Sequence, residues 1–251
     1  MKKKALLLYP ETPTTYWSMK YLLKHLGKKA AFAPLGIITI AAMLPENYEP
    51  VVCDLNVSPI NDSEIASADI IFISSMIVQK ESLQNLINRC KSFNKIVVAG
   101  GPYPTTSHEK IKGVDYFLLG EAENIFTEFI NDYEKGIAKK YYYGNDRPDI
   151  FNTPIPRFDL LQTNNYVTMA IQYSRGCPFN CEFCDIIEMF GRKPRTKSVT
   201  QFISELDALY NHGYRGPLFI VDDNFIGNKK SVRELLPKLI QWQKVRDYPF
   251  I

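Results

Sequence analysis

The chain has 251 residues, 45% hydrophobic and 23% charged, a balance that suits a folded globular protein of one large domain or two small ones. Its formal net charge of +3 is spread along the sequence, which excludes a basic tail for nucleic acid. The longest apolar run, Gly36 to Leu44, falls well short of the ~20 residues that cross a bilayer, so no transmembrane segment is expected.

The opening Met1-Lys2-Lys3-Lys4 followed by an apolar run superficially resembles a signal peptide. The run is too short, and the turn Pro10-Glu11-Thr12-Pro13 stands where a small-residue cleavage site would be needed. Ala5–Tyr9 therefore reads as a first strand. Five cysteines without a secretory signal point to a reducing, cytoplasmic setting. Residues 10–34 are irregular, with a helix predicted over Met19–Leu26.

From there strands and helices alternate. Short β-rich runs lie at Pro50–Asp54, Asp69–Ser74, Lys95–Ala99 and Val114–Leu119; helical patterns lie at Leu35–Leu44, Ser63–Ala66, Lys80–Ser92 and Glu121–Tyr133. This alternation predicts a parallel doubly wound α/β domain, flavodoxin- or Rossmann-like, over residues 1–136. The continuous apolar run Ile70-Ile71-Phe72-Ile73 fits a sheet covered on both faces. Ligands bind such sheets beyond the carboxyl ends of the strands. Small residues at those ends, Ser74, Ser75, Gly100, Gly101 and Gly120, open the backbone to a bulky ligand. An ordinary tight turn is the alternative for Gly100-Gly101. Glu121 and Glu123 read equally as helix-start carboxylates favoured by the dipole or as site residues. No GxGxxG fingerprint is present, which argues against a dinucleotide.

Residues 137–167, with Tyr141-Tyr142-Tyr143 and then Pro148, Pro154 and Pro156, read as an extended linker, the tyrosines as packing surface. The βα rhythm resumes over 168–251: a strand at Ala170–Tyr173, a helix at Val199–Tyr210, a strand at Leu218–Val221 and a helix at Ser231–Val245. Tyr248-Pro249-Phe250-Ile251 reads as the start of a third strand. That pattern implies the opening of a (βα) barrel, with active groups on the loops after its strands. Asp222 and Asp223 stand at the end of the second such strand, where a solvated turn or an N-cap is the alternative to a ligand role.

Between the first strand and helix of this half lies Arg175-Gly176-Cys177-Pro178-Phe179-Asn180-Cys181-Glu182-Phe183-Cys184. Three of the five cysteines fall in one loop, spaced C-x3-C-x2-C. A structural zinc site needs four closed ligands, usually as two pairs. Cys53 and Cys90, in apolar-periodic segments, read instead as small buried hydrophobes. An iron–sulfur cluster held by three thiolates keeps one iron open for chemistry.

On that motif the sequence resembles the radical SAM enzymes. With its doubly wound first half, it is similar to the cobalamin-binding radical SAM proteins, closest to the hopanoid methylase-like branch. The resemblance is carried by Pro34-Leu35-Gly36, Asp54-Leu55-Asn56, Met76-Ile77-Val78-Gln79, Gly100-Gly101-Pro102-Tyr103, Gly120-Glu121-Ala122-Glu123, Gln172-Tyr173-Ser174-Arg175-Gly176-Cys177 and Val221-Asp222-Asp223-Asn224-Phe225-Ile226-Gly227-Asn228. It implies a cobalamin domain followed by the first part of a partial TIM barrel. It implies Cys177, Cys181 and Cys184 as ligands of a 4Fe-4S cluster whose open iron takes S-adenosylmethionine. It places Phe183 near the adenine, Asp222 and Asp223 near the methionine amino group, and cobalamin against Ser74, Ser75, Gly100, Gly101 and Gly120. Arg175 would steady the loop or stand on the surface.

The reaction implied is methyl transfer from methylcobalamin to an unactivated, lipid-like or small-molecule carbon, started by a 5′-deoxyadenosyl radical and fed by a donor such as flavodoxin or ferredoxin. The alternatives are cobalamin-dependent rearrangement or cyclisation, and a non-catalytic cofactor-binding module. Two departures accompany the resemblance. The Asp-x-His-x-x-G motif for a histidine under cobalt is absent, and His25, His108 and His212 read as surface or capping residues, so cobalamin is expected without a histidine lower ligand. The barrel half supplies two βα units and a beginning, so an incomplete barrel is expected.

Overall fold

The computed structural model describes residues 2–144 and 146–251. In chain order its strands are β1 (Lys3–Tyr9), β2 (Ala30–Phe32), β3 (Tyr48–Asp54), β4 (Ile70–Ser74), β5 (Val97–Gly100), β6 (Tyr116–Gly120), β7 (Tyr141–Gly144), β8 (Tyr166–Ile171), β9 (Ser174–Arg175), β10 (Arg195–Thr196) and β11 (Leu218–Ile220). Its helices are α1 (Lys20–His25), α2 (Leu35–Met43), α3 (Asp62–Ser67), α4 (Lys80–Ser92), α5 (Pro102–Ser107), α6 (Ala122–Glu134), α7 (Ile186–Met189), α8 (Val199–Asn211) and α9 (Lys229–Val245).

The first half is a six-stranded sheet in the order β3-β1-β4-β5-β6-β7, every pair parallel. Strand alternation assigns each side chain to a face. Ala5, Leu7, Ile70, Phe72, Val98 and Leu118 face one core cluster with α2 and α6; Leu6, Leu8, Ile71, Ile73, Val97 and Leu119 face a second cluster with α3 and α4. Both faces are therefore buried, as the uninterrupted apolar strands require.

The second half begins with β8 and β11, paired in parallel through Leu218↔Met169 and Ile220↔Ile171. Helices α8 and α9 cover one face, where Phe202, Leu206, Leu235 and Trp242 pack with Met169 and Ile171. The chain end adds a parallel bridge, Gly216 to Phe250, and Leu218 N donates to Ile251 O at 2.9 Å, the start of a third strand. A doubly wound domain is thus followed by the first part of a βα barrel.

Three features depart from the periodic signal. Strand β2, inside the irregular stretch 10–34, pairs with β8 rather than with its own half, through Ala30↔Tyr166 and Phe32↔Thr168. Strand β7, inside the stretch read as linker, is the sixth strand of the first sheet, with Tyr142 buried and its hydroxyl donating to Asp132 Oδ2 at 2.8 Å. Between the halves, Tyr166 on β8 donates its hydroxyl to Asp54 Oδ2 at the end of β3, at 3.1 Å. The larger core cluster runs without a break from α2 and α6 into β8 and α8, so the two sheets share one interior.

Candidate functional site

The sheets direct their carboxyl ends into one cleft of ≈ 280 Å³. The first sheet brings Ser74 from the end of β4, Gly100 and Gly101 from β5, and Gly120 with Glu121 from β6. The second brings Gln172 and Arg175 from the turn after β8, Lys197 from beyond β10, and Val221 from beyond β11. Leu35, Ile40 and Met43 of α2 make an apolar wall. α2 has almost no polar face because it is wedged between the sheet and this cleft.

Of the expected cobalamin-side residues, Ser74, Gly100, Gly101 and Gly120 line the cleft. Ser75 does not. It is fully buried, its backbone tying β4 to Gly100 and Tyr103, and its hydroxyl has no hydrogen-bond partner among the described residues. The glycines answer to the backbone around them. Gly101 has φ +90° and a Cβ there would lie 2.6 Å from Ser74 Oγ; Gly120 has φ +99° and a Cβ would lie 2.7 Å from Gly144 O. Only glycine holds these left-handed conformations without strain. Gly120→Ala is expected to cost ~1–3 kcal/mol, since the collision is with a backbone oxygen of β7 and no side chain can swing aside. A chemical-denaturation midpoint unchanged from wild type would refute this reading.

Across the cleft the halves are joined by buried charge. Arg175 reaches Glu121 at 2.8 Å and Glu123 at 2.7 Å, and Arg195 reaches Glu121 at 2.7 Å. All four side chains are at most 15% exposed. Burial works to raise the Glu123 carboxyl, but the Arg175 guanidinium outweighs it and holds the group below the usual carboxylate range. Burial likewise opposes the charge on Arg175, and the two glutamates more than compensate. Deeper in the second half, Lys197 pairs with Glu205, both fully buried. Burial pushes the Glu205 carboxyl up to about 7 against the pull of Lys197.

The cysteine loop leaves the cleft from Arg175. Asp222 accepts hydrogen bonds from Tyr173 N and Ser174 Oγ, both at 2.7 Å, and Asp223 accepts one from Gly176 N at 2.8 Å. Burial raises the pKa of both carboxyls. Both aspartates therefore hold the chain entering Cys177. Asn224 Nδ2 lies 3.6 Å from Cys177 Sγ, and Cys184 N donates to Cys181 O at 3.1 Å. Cys177 and Cys184 are half-buried, Cys181 is exposed, and Phe183 is 94% exposed.

Cleft and loop differ as cofactor sites. A rim of backbone and small residues facing an apolar helix suits contact with one face of a large, flat, amide-fringed macrocycle such as cobalamin, the bulk of which would lie outside a cleft of this size. Neither His25, His108 nor His212 lines it. Among the described residues no three His, Cys, Asp or Glu side chains surround one metal-ion position. A 4Fe-4S cluster takes each thiolate on a different iron, and the loop offers three free, solvent-accessible thiols on one segment, a donor set that fits such a cluster with one iron left open.

Sequence reading singled out Arg175, Glu121 and Glu123 but not that they meet, and it missed Arg195, Lys197, Glu205 and the α2 wall. A lone arginine or lysine carries no signal of its partner. The apolar α2 did carry one, since a helix without a polar face must be covered on every side.

The family described as B12 binding domain matches residues 29–130. The chain is 43% identical to an uncharacterised methyltransferase of Synechocystis sp., over 98% of this chain and 46% of that protein. It is 33% identical to the hopanoid C-2 methylase of Rhodopseudomonas palustris, over 96% of this chain and 47% of that protein. It spans about half the length of the curated relatives it matches. Among solved structures, the cobalamin-dependent S-adenosylmethionine radical enzyme OxsB, with aqua-cobalamin and S-adenosylmethionine bound, superposes with a TM-score of 0.70 at 17% identity. That match covers 96% of this chain and 37% of that one, and is a likeness of fold.

Proposed function

This chain belongs to the cobalamin-binding radical SAM proteins, near the hopanoid methylases, and from that premise we propose that it holds the cofactors of a radical C-methyltransferase acting on an unactivated, small-molecule or lipid-like carbon. The observation that carries the reading is the single cleft into which both sheets point their carboxyl ends, the glycine rim on one side and the strand leading to the cysteines on the other. The domain division proposed with it is a cobalamin half over 1–136, a connection over 137–167 that lends β7 to the first sheet and the start of β8 to the second, and a barrel half over 168–251.

Cobalamin would lie along Ser74, Gly100, Gly101 and Gly120, with no histidine beneath the metal. A 4Fe-4S cluster would take Cys177, Cys181 and Cys184. When bound, the cluster with S-adenosylmethionine supplies hydrogen abstraction at a carbon no side chain could deprotonate, and cobalamin supplies the methyl group.

The chain's own residues supply geometry. The Glu121–Arg175–Glu123 fork fixes the strand leaving the second sheet against the glycine rim of the first, setting the distance between the cofactor positions. Asp222 and Asp223 fix the direction in which the loop departs. The apolar wall of α2 keeps water from one side of the cleft.

The test is electron paramagnetic resonance on anaerobically reconstituted, reduced protein, with and without S-adenosylmethionine. A 4Fe-4S signal that changes on adding S-adenosylmethionine is expected. A cluster signal indifferent to it would sink the enzyme reading, and cobalamin retention without a cluster would leave a binding module.

A further inference from the structure

The segment 10–29 joins β1 to β2 and carries α1, a short helix that buries little. Leu23 turns inward at 5% exposed. Tyr21 is 79% exposed, Leu22 52% and Leu26 50%, adjacent on one short helix and so a contiguous apolar patch. Helical spacing sorts what α1 shows to solvent. Leu22 and Leu26, four residues apart, form one flank; Lys20 and Lys24, also four apart, form the other; Tyr21 and His25 lie between them. No acidic residue occurs between Glu11 and Glu46, while Lys20, Lys24, Lys28 and Lys29 all fall there. Two of these lysines have partners: Lys20 lies 3.6 Å from Glu11 on the open surface, and Lys28 donates to Asn164 O.

A second exposed apolar group stands at the same carboxyl end of the sheet. β1 and β4 are neighbours, and the loop after β4 shows Met76, Ile77 and Val78 at 49%, 60% and 52% exposure. The side chain of Gln79, at the end of this loop, donates to Pro10 O, where the α1 segment begins.

Large apolar side chains flanked by lysines on an unburied helix match the lipid–water interface, where the apolar groups reach the acyl boundary and the ammonium groups meet phosphates. We propose that α1, together with the loop 76–78, docks this protein on an anionic phospholipid surface. The charge decides the lipid class: four lysines against the single acid Glu11, itself on the open surface, leave a net positive patch that is drawn to negatively charged headgroups and gains nothing from zwitterionic ones. No helix of the described residues is long and apolar enough to cross a membrane, so the contact is peripheral.

The experiment is co-sedimentation of the 251-residue chain with vesicles of phosphatidylglycerol and phosphatidylcholine, against phosphatidylcholine alone. Binding to the anionic vesicles that weakens with salt is expected, with little on the zwitterionic ones. L22D/L26D, both on the exposed flank, is expected to bind on the order of tenfold more weakly with an unchanged circular dichroism spectrum. K20Q/K24Q is expected to lose the preference for the anionic vesicles. Equal sedimentation with both vesicle types, or an L22D/L26D variant that binds like wild type, would overturn the proposal. So would a wild-type chain that stays in solution, leaving an acidic protein as the occupant of the patch.

Discussion

Arg175→Ala is expected to destabilise the chain by ~3–5 kcal/mol, the range for removing one partner from a buried ion pair. Glu121 keeps Arg195, but Glu123 is left with a 3.4 Å contact from Thr153 Oγ1 in a site where its side chain is only 11% exposed. The pH dependence separates this from a simple packing loss. The folded Glu123 carboxyl titrates below its unfolded value of 4.5, so its contribution is present above pH 4.5 and fades as pH falls through the folded value. The gap between wild type and variant, measured by urea denaturation, should therefore be widest near neutrality and narrow in acid. Arg175→Lys should recover only part of it, because an ammonium cannot fork between two carboxylates as a guanidinium does. Equal denaturation midpoints for wild type and Arg175→Ala at pH 7 would mean that the Arg175 fork adds nothing to what the shared apolar core, Arg195–Glu121 and Tyr166–Asp54 already hold together.

Replacing Cys181 with alanine is expected to reduce bound iron and sulfide after anaerobic reconstitution to background. Three thiolates are the fewest that hold a cluster with one open iron, and Cys53 and Cys90 cannot substitute. Both of those are buried, and burial pushes each thiol up to about 11, which keeps it protonated and unreactive. Cys53→Ala and Cys90→Ala should accordingly keep wild-type iron while losing some stability. Cobalamin retention should survive Cys181→Ala, since the cleft lining does not include the loop thiols. Iron that persists in Cys181→Ala, or disappears in Cys53→Ala, would discredit the ligand assignment.

The parallel sheet was legible because its strands are runs such as Leu6-Leu7-Leu8 and Ile70-Ile71-Phe72-Ile73, long enough to carry a signal and apolar on both faces. β2 was not legible: Ala30-Ala31-Phe32 is three residues long, and its pairing partner lies well over a hundred positions away in the other half. β7 was hidden by the prolines that follow it, although an edge strand needs no more than the alternation of Tyr142 inward with Tyr141 and Tyr143 outward. At the site, the cysteine spacing and the small residues at the strand ends stood in plain view. Asp222 and Asp223 were visible as acids at a strand end, but their hydrogen bonds go to Tyr173, Ser174 and Gly176, nearly fifty positions away.

The sequence by itself determined the fold class, the order of the longer strands and helices, and the motif on which the family resemblance rests, because these depend on local spacing that neighbouring residues either have or lack. Only the tertiary structure decided which charges meet, that Ser75 lies behind the cleft while Ser74 faces it, and that a strand from the first half lies beside the first barrel strand. Those are long-range pairings, whose energy comes from removing distant groups from water together, and no window of sequence contains both partners.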